Sequence, residues 1–180
     1  MALTATMYRF EVELSDVDRG VYETLDLRVA QHPSESDAFM VTRVLAYALE
    51  ARPDLGFGRG VSTPDDPPIS AVTPDGRLEL WVEVGAPSAE RLHRASKAAG
   101  RVVIYSHRDA AFVIGQVRGK GVFGGDRIDV VFVPPDLLEL LASKLDRKVA
   151  WSLMRTEGVL YLTVGGTTWE GSLRTERVDP

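Results

Sequence analysis

The sequence holds no cysteine and only three histidines, His32, His93 and His107, scattered along 180 residues. Without thiols there are no disulfide staples and no thiolate chemistry, and so few histidines leave little for a zinc site of the usual ligands. Any bound metal is therefore expected to be a hard, oxygen-loving cation. No apolar run approaches the roughly 20 residues of a membrane-spanning helix, and the N-terminus lacks a basic region followed by a long hydrophobic one. A cytoplasmic protein with no membrane contact is expected. The four glycines between Gly119 and Gly125 match neither phosphate-loop pattern, since no Gly-Lys-Ser/Thr or Gly-x-Gly-x-x-Gly stands at a strand–helix junction. That excludes nucleotide binding.

What is present fits one globular domain over residues 1–180: 44% apolar and 26% charged residues are enough to bury a core without staples. The net charge of −5 argues against a sequence-blind nucleic-acid binder, because the field of the whole protein repels phosphate. The distribution points the other way. Residues 91–120 carry Arg91, Arg94, Lys97, Arg101, Arg108, Arg118 and Lys120 against Asp109 alone. This segment is either a solvated face or a nucleic-acid contact surface.

Alternating apolar and polar residues predict a hairpin over 4–29, with Tyr8, Phe10, Val12 and Leu14 on one face. Ser34 followed by Asp37 predicts a helix start, and the chain then runs as a helix to about Ala51, ended by Pro53. Glu50, near its end, reads as a surface residue. A short extended piece at Phe57–Val61 delivers Ser62, Thr63, Asp65 and Asp66 into a loop that Pro64, Pro67 and Pro68 keep out of helix. Ile69–Val72 and 78–84 form a second hairpin across the turn Thr73–Gly76. In the latter strand Leu78, Leu80, Val82 and Val84 share one face, and Glu79, Trp81 and Glu83 the other. Ser88 caps a helix over 88–99 that carries His93 and Lys97 on one side. With the strand 101–105 this completes a right-handed βαβ unit. A short helix over 109–117, a strand over 128–133, a helix from Pro135 and strands near 148–155, 159–164 and 167–174 follow. The fold class is mixed α/β, and these final strands either build a second sheet with the opening hairpin or extend the first.

The polar chemistry concentrates in the acidic loop and the strand after it. Two carboxylates, Asp66 and Glu83, with an amine, Lys97, are the residue types a Mg²⁺- or Mn²⁺-dependent phosphodiesterase uses: the carboxylates hold the cation, and the amine orients the nucleophile or stabilises developing charge. Short acidic motifs carry little information here, because Pro-Asp occurs four times in the chain.

The strings MALTATMY at 1–8, HPSE at 32–35, GVST at 60–63 with Asp65-Asp66-Pro67, LWVEVGAP at 80–87, and Arg91, Arg94, Ala95 and Lys97 resemble the YaeQ family over nearly the whole chain. The resemblance implies a fold related to the PD-(D/E)XK nuclease superfamily, an αβββαβ core of restriction-endonuclease-like type with a mixed sheet flanked by helices. The N-terminal hairpin and the C-terminal antiparallel strands are additions to it. It also implies that no biochemical activity is securely assigned to the family. Carried over by position, Asp66 is the first acid and Glu83 the acid of the second half-motif. The chain departs from the pattern two residues beyond Glu83, where Gly85 replaces the expected lysine. Lys97 would be a migrated lysine, with His93 or Arg94 as weaker stand-ins and Glu50 as an accessory acid.

The first functional reading is metal-dependent cleavage of nucleic acid at Asp66, Glu83 and Lys97. In it Mg²⁺ or Mn²⁺ is held by Asp66 and Glu83, and Arg91, Arg94, Arg101, Arg108, Ser62 and Thr63 contact substrate. The second is a non-catalytic module that binds nucleic acid or protein and retains the nuclease-like fold. A third takes Ser62, Thr63, Trp81 and Tyr105 as the lining of a small-molecule pocket.

Overall fold

The computed structural model describes residues 4–60 and 63–179. In chain order the elements are β1 (Thr6–Asp16), β2 (Val21–Gln31), α1 (Asp37–Leu49), β3 (Leu55–Phe57), β4 (Ile69–Val72) and β5 (Leu78–Val84). They continue as α2 (Ala89–Ala98), β6 (Arg101–Ser106), α3 (Ala110–Val117), β7 (Ile128–Phe132), α4 (Pro135–Ser143), β8 (Lys148–Thr156), β9 (Val159–Val164), β10 (Thr167–Gly171) and β11 (Arg174–Arg177). A helix, three strands, a helix and a strand thus run in that order from α1 to β6. None of the described helices is long and apolar enough to cross a membrane.

The chain forms two compact units, one made of the residues up to Ala51 with Pro134–Leu173, the other of Arg52–Val133 with the residues from Arg174 onward. The first holds a five-stranded sheet in the order β10-β9-β8-β1-β2, antiparallel except where β1 and β8 run parallel. Strict alternation puts Phe10, Val12 and Leu14 of β1 inside, beside Val149, Trp151 and Leu153 of β8. Asp16 continues that inward face and is fully buried, so it needs a partner: Arg155, opposite it in the register, supplies one. Arg19 adds its backbone N–H to Asp16 and donates to the carbonyls of Leu49 and Ala51, satisfying acceptors that the end of α1 leaves unpaired. The helix is capped at its start by Ser36, whose Oγ accepts from the N–H of Phe39 at 3.1 Å. Ser34, two residues earlier, instead bonds His32, so the helix begins later than its sequence suggests. Glu50 is the C-cap of α1 and is buried rather than exposed.

The second unit holds the six-stranded sheet β11-β7-β6-β5-β4-β3, in which β5, β6 and β7 are parallel and the flanking pairs antiparallel. Rows Trp81–Val102–Ile128 and Glu83–Ile104–Val130 lie on one face. Leu92, Ala95 and Ala99 of α2 and Val113, Ile114 and Val117 of α3 cover that face. The other face, with Leu80, Val82, Val84, Val103 and Tyr105, is buried as well. Both sides of β5 are therefore dry, where alternation alone suggests one packed and one presented side.

The last predicted strand, 167–174, divides. β10 ends at Gly171 in the first unit's sheet, and β11 starts at Arg174 as the edge strand against β7. The strands β8, β9 and β10 do make a second sheet with the opening hairpin.

Candidate functional site

The acidic loop, β5 and the first turn of α2 meet in the second unit. The Ser88 hydroxyl caps α2 by accepting from the N–H of Arg91 at 3.2 Å, a contact worth about 1 kcal/mol to a helix. This cap fixes the backbone of Arg91 and leaves its side chain to reach back over the end of β5.

Glu83 sits under that side chain at 3% exposure. Its Oε1 accepts from Trp81 Nε1 at 2.7 Å and from Arg91 Nε at 2.5 Å. Burial pushes the Glu83 carboxyl above the ordinary glutamate value, while the charge of Arg91 and the two donors pull the other way. Arg91 is used on every arm: Nη1 donates to the carbonyl of Pro64, Nη2 to the carbonyl of Asp66 at 2.9 Å, and its Cζ lies 5.7 Å from the centre of the Trp81 ring. One guanidinium thus fastens the acidic loop to the buried carboxylate. The loop and the strand are brought together as expected, but an arginine occupies the space between them.

Asp66 presents its carboxylate to Arg59, with bonds of 2.6 and 3.1 Å that hold it below the ordinary aspartate value. Asp65 pairs with Arg94 at 2.9 Å. Thr63 serves the turn: its N–H donates to Gly60 and its carbonyl accepts from the N–H of Asp66, both at 3.1 Å. Ser62 lies outside the described residues. At position 85 the backbone has φ +90°, the left-handed region that favours glycine, so a lysine there would be strained.

Lys97 lies on another side of α2. Its Nζ is 5.8 Å from the centre of the Phe123 ring, in the glycine-rich loop after α3. His93 shares that side, with Nδ1 accepting from the N–H of Phe123 at 3.2 Å and its ring edge-on to the Phe123 ring at 6.3 Å. Arg127 also stacks there, at 5.8 Å. Arg108 lies over Phe112 at 5.5 Å. Arg101 is exposed at the start of β6. Arg118 is committed to the chain end, donating to the carbonyls of Arg177 and Val178.

Trp81 and Tyr105 cannot line one pocket. Tyr105 pairs with Val84, and Trp81 with Val102, so their side chains leave opposite faces of the sheet. Glu50 belongs to the other unit. Among the described residues, no three His, Asp or Glu side chains cluster as metal ligands. With Glu83 spent on Trp81 and Arg91 and Asp66 on Arg59, the residues present do not fit a Mg²⁺ or Mn²⁺ ion.

Two partners escaped the sequence. Arg91 stands eight residues after Glu83, in the first turn of the crossover helix, and that turn lies over the C-terminal end of the strand in a βαβ unit, so a signal existed. Arg59 and Asp66 meet across an irregular loop, whose closure has no periodicity to read.

Among the described residues, the fold and this site define a mixed α/β protein with two mixed sheets, four α-helices and a buried glutamate that Arg91 ties to the backbone of the acidic loop. The chain belongs to the YaeQ family, whose model, described as YaeQ protein, matches residues 1–173. It is 28% identical over 164 residues to YaeQ of Escherichia coli (strain K12), covering 91% of each chain, and 29% identical over 164 residues to YaeQ of Salmonella typhi, again covering 91% of each. The crystal structure of YaeQ protein from Pseudomonas syringae is similar with a TM-score of 0.87 and 35% identity over 95% of both chains. That of YaeQ protein from Xanthomonas axonopodis pv. citri gives 0.83 and 27%, covering 97% of this chain and 99% of that one. The E. coli and Salmonella relatives are described as uncharacterised, so the family contributes the fold and leaves activity to the geometry.

Proposed function

We propose that this protein is a non-catalytic nucleic-acid-binding module. The observation that carries the reading is the division of its cations. Arg91 and Arg94 are spent on Glu83 and Asp65, whereas Lys97, Arg108, Lys120 and Arg127 are exposed and form no ion pair among the described residues. Cations without an acid partner are the ones that can exchange counterions for phosphate. Of the two acids that a nuclease would use for metal, Glu83 is held by Arg91 and Asp66 by Arg59, which supports binding without cleavage.

The test pairs two measurements. Wild type and Glu83→Gln are incubated with single- and double-stranded DNA and RNA in Mg²⁺ or Mn²⁺, and the same substrates are titrated in binding assays across salt. The expected result is no cleavage by either protein and binding that weakens with a log–log salt slope of about −3, for four phosphate contacts on a single strand. Metal-dependent cleavage by wild type that Glu83→Gln loses would overturn the reading in favour of a nuclease. Absence of binding at low salt would overturn it altogether.

A further inference from the structure

Val122 and Phe123 are neighbours with opposite fates. Val122 is buried in the core beneath α2 and α3, while Phe123 is 48% exposed. Exposing that much of a phenylalanine costs roughly 25 cal/mol for each Å² left in water, so an exposed ring held in place invites explanation. The ring is held: its own N–H is bonded to His93, and the loop behind it turns through left-handed glycines at Gly121 and Gly124. Gly124 has a second duty. A Cβ there would stand 2.7 Å from Nη2 of Arg127, so any larger residue, already strained at φ +63°, would also push that guanidinium from its place across the loop toward Phe123. Lys97 reaches the ring from α2.

From this arrangement we infer that Phe123, with Lys97, Arg127 and His93 around it, is a stacking platform for a base of single-stranded nucleic acid. The inference rests on the nucleic-acid reading above and names its substrate class. A flat aromatic face accepts any base, and two cations beside it lie within reach of the phosphates on either side of a stacked nucleotide. A duplex hides its base faces in its own stack and presents only phosphate to such a site. A base on the ring takes the place of one of the two cations, which then turns to phosphate. Phe112, also exposed and overlain by Arg108, repeats the same pairing at the other end of α3 and offers a second position along a strand.

The experiment is a fluorescence-anisotropy titration at low salt of labelled oligo-dT and oligo-U of about 16 nucleotides, the upper end of common site sizes, and of a duplex of equal length. Wild type, Phe123→Ala, Phe123→Trp and Lys97→Ala are compared, each checked for folding by circular dichroism. Wild type binds single strands of DNA, RNA or both more tightly than duplex, and Phe123→Ala weakens single-strand binding by about 5- to 150-fold while leaving duplex binding unchanged. Phe123→Trp retains binding, and its added tryptophan emission is quenched as the oligonucleotide is titrated. Lys97→Ala lowers the salt slope by about one phosphate contact. Equal binding of duplex and single strand with no effect of Phe123→Ala would overturn the inference and leave the nucleic-acid reading standing. No binding of any oligonucleotide by wild type would overturn both.

Discussion

Helix α2 carries basic residues on two sides and spends them differently. Arg91 and Arg94 reach the acidic loop and β5, where they pair with Glu83 and Asp65; Lys97 and His93 turn to an exposed aromatic ring, where neither pairs with an acid among the described residues. The first side holds a buried pair, Glu83 with Arg91, in which every arm of the guanidinium is hydrogen-bonded, and an exposed one, Asp65 with Arg94. The second is wet, with a cation held beside a π-face. A basic segment is therefore not one surface. Charge that is paired under a helix builds the fold, and charge that is left over an exposed ring is available to a ligand.

Breaking the buried pair should have the largest effect. Glu83→Ala strands the Arg91 guanidinium and the Trp81 indole without their shared acceptor, and should lower unfolding free energy by about 3 to 5 kcal/mol in urea titrations. Arg91→Lys keeps the charge but loses the fork that spans Glu83, Pro64 and Asp66; a loss of about 2 kcal/mol is expected. That pair of variants would refute the tie if both unfolded at the wild-type urea concentration.

A pH series sharpens the comparison. The native Glu83 carboxyl is raised above its ordinary value of 4.5 by burial, so the native state holds its proton more tightly than the unfolded chain. Its favourable contribution is complete below 4.5 and is lost as pH rises through the raised native value. Wild type should thus lose stability relative to Glu83→Gln over that window. Asp66 runs in the opposite direction, since Arg59 lowers it: its contribution is present above 3.8 and is lost as pH falls through the depressed native value. Carboxyl NMR titrations should place the two resonances on opposite sides of their ordinary midpoints, and Arg59→Ala should return Asp66 alone toward 3.8.

The smallest effect belongs to the wet side. Lys97→Ala should change stability by no more than about 0.5 kcal/mol, because it removes an exposed group with no buried partner. A larger loss in urea titrations would mean that Lys97 is structural and that the two sides of α2 do not differ.

Much of the fold was legible in the sequence because short-range periodicity is local. The alternation of Phe10, Val12 and Leu14, the Thr73–Gly76 turn and the Ser88 cap each announced an element that the structure contains. Sheet membership was less legible. Nothing in the stretch through Ser172 and Leu173 marks where the chain leaves one sheet for another, because that choice depends on which edge is open. Of the site, the meeting of the acidic loop with β5 was readable, but the rotation of α2 over the sheet was not. Lys97 follows Arg91 by six residues, which turns it about 120° away around the helix. Once Arg91 points at Glu83, Lys97 cannot.

The chain's return to the second unit also bears on how that unit is made. Its sheet is edged by β11, its core includes the fully buried Val178, and Arg118 clasps the carbonyls of Arg177 and Val178. During synthesis, residues 52–133 emerge well before these pieces exist. The unit's sheet cannot gain its edge strand along β7, nor its core Val178, until the chain has been made to position 178. The first unit closes with Leu173, so although β5, β6 and β7 are translated before β8, the last residues their sheet needs lie further along the chain than the last residues of the other.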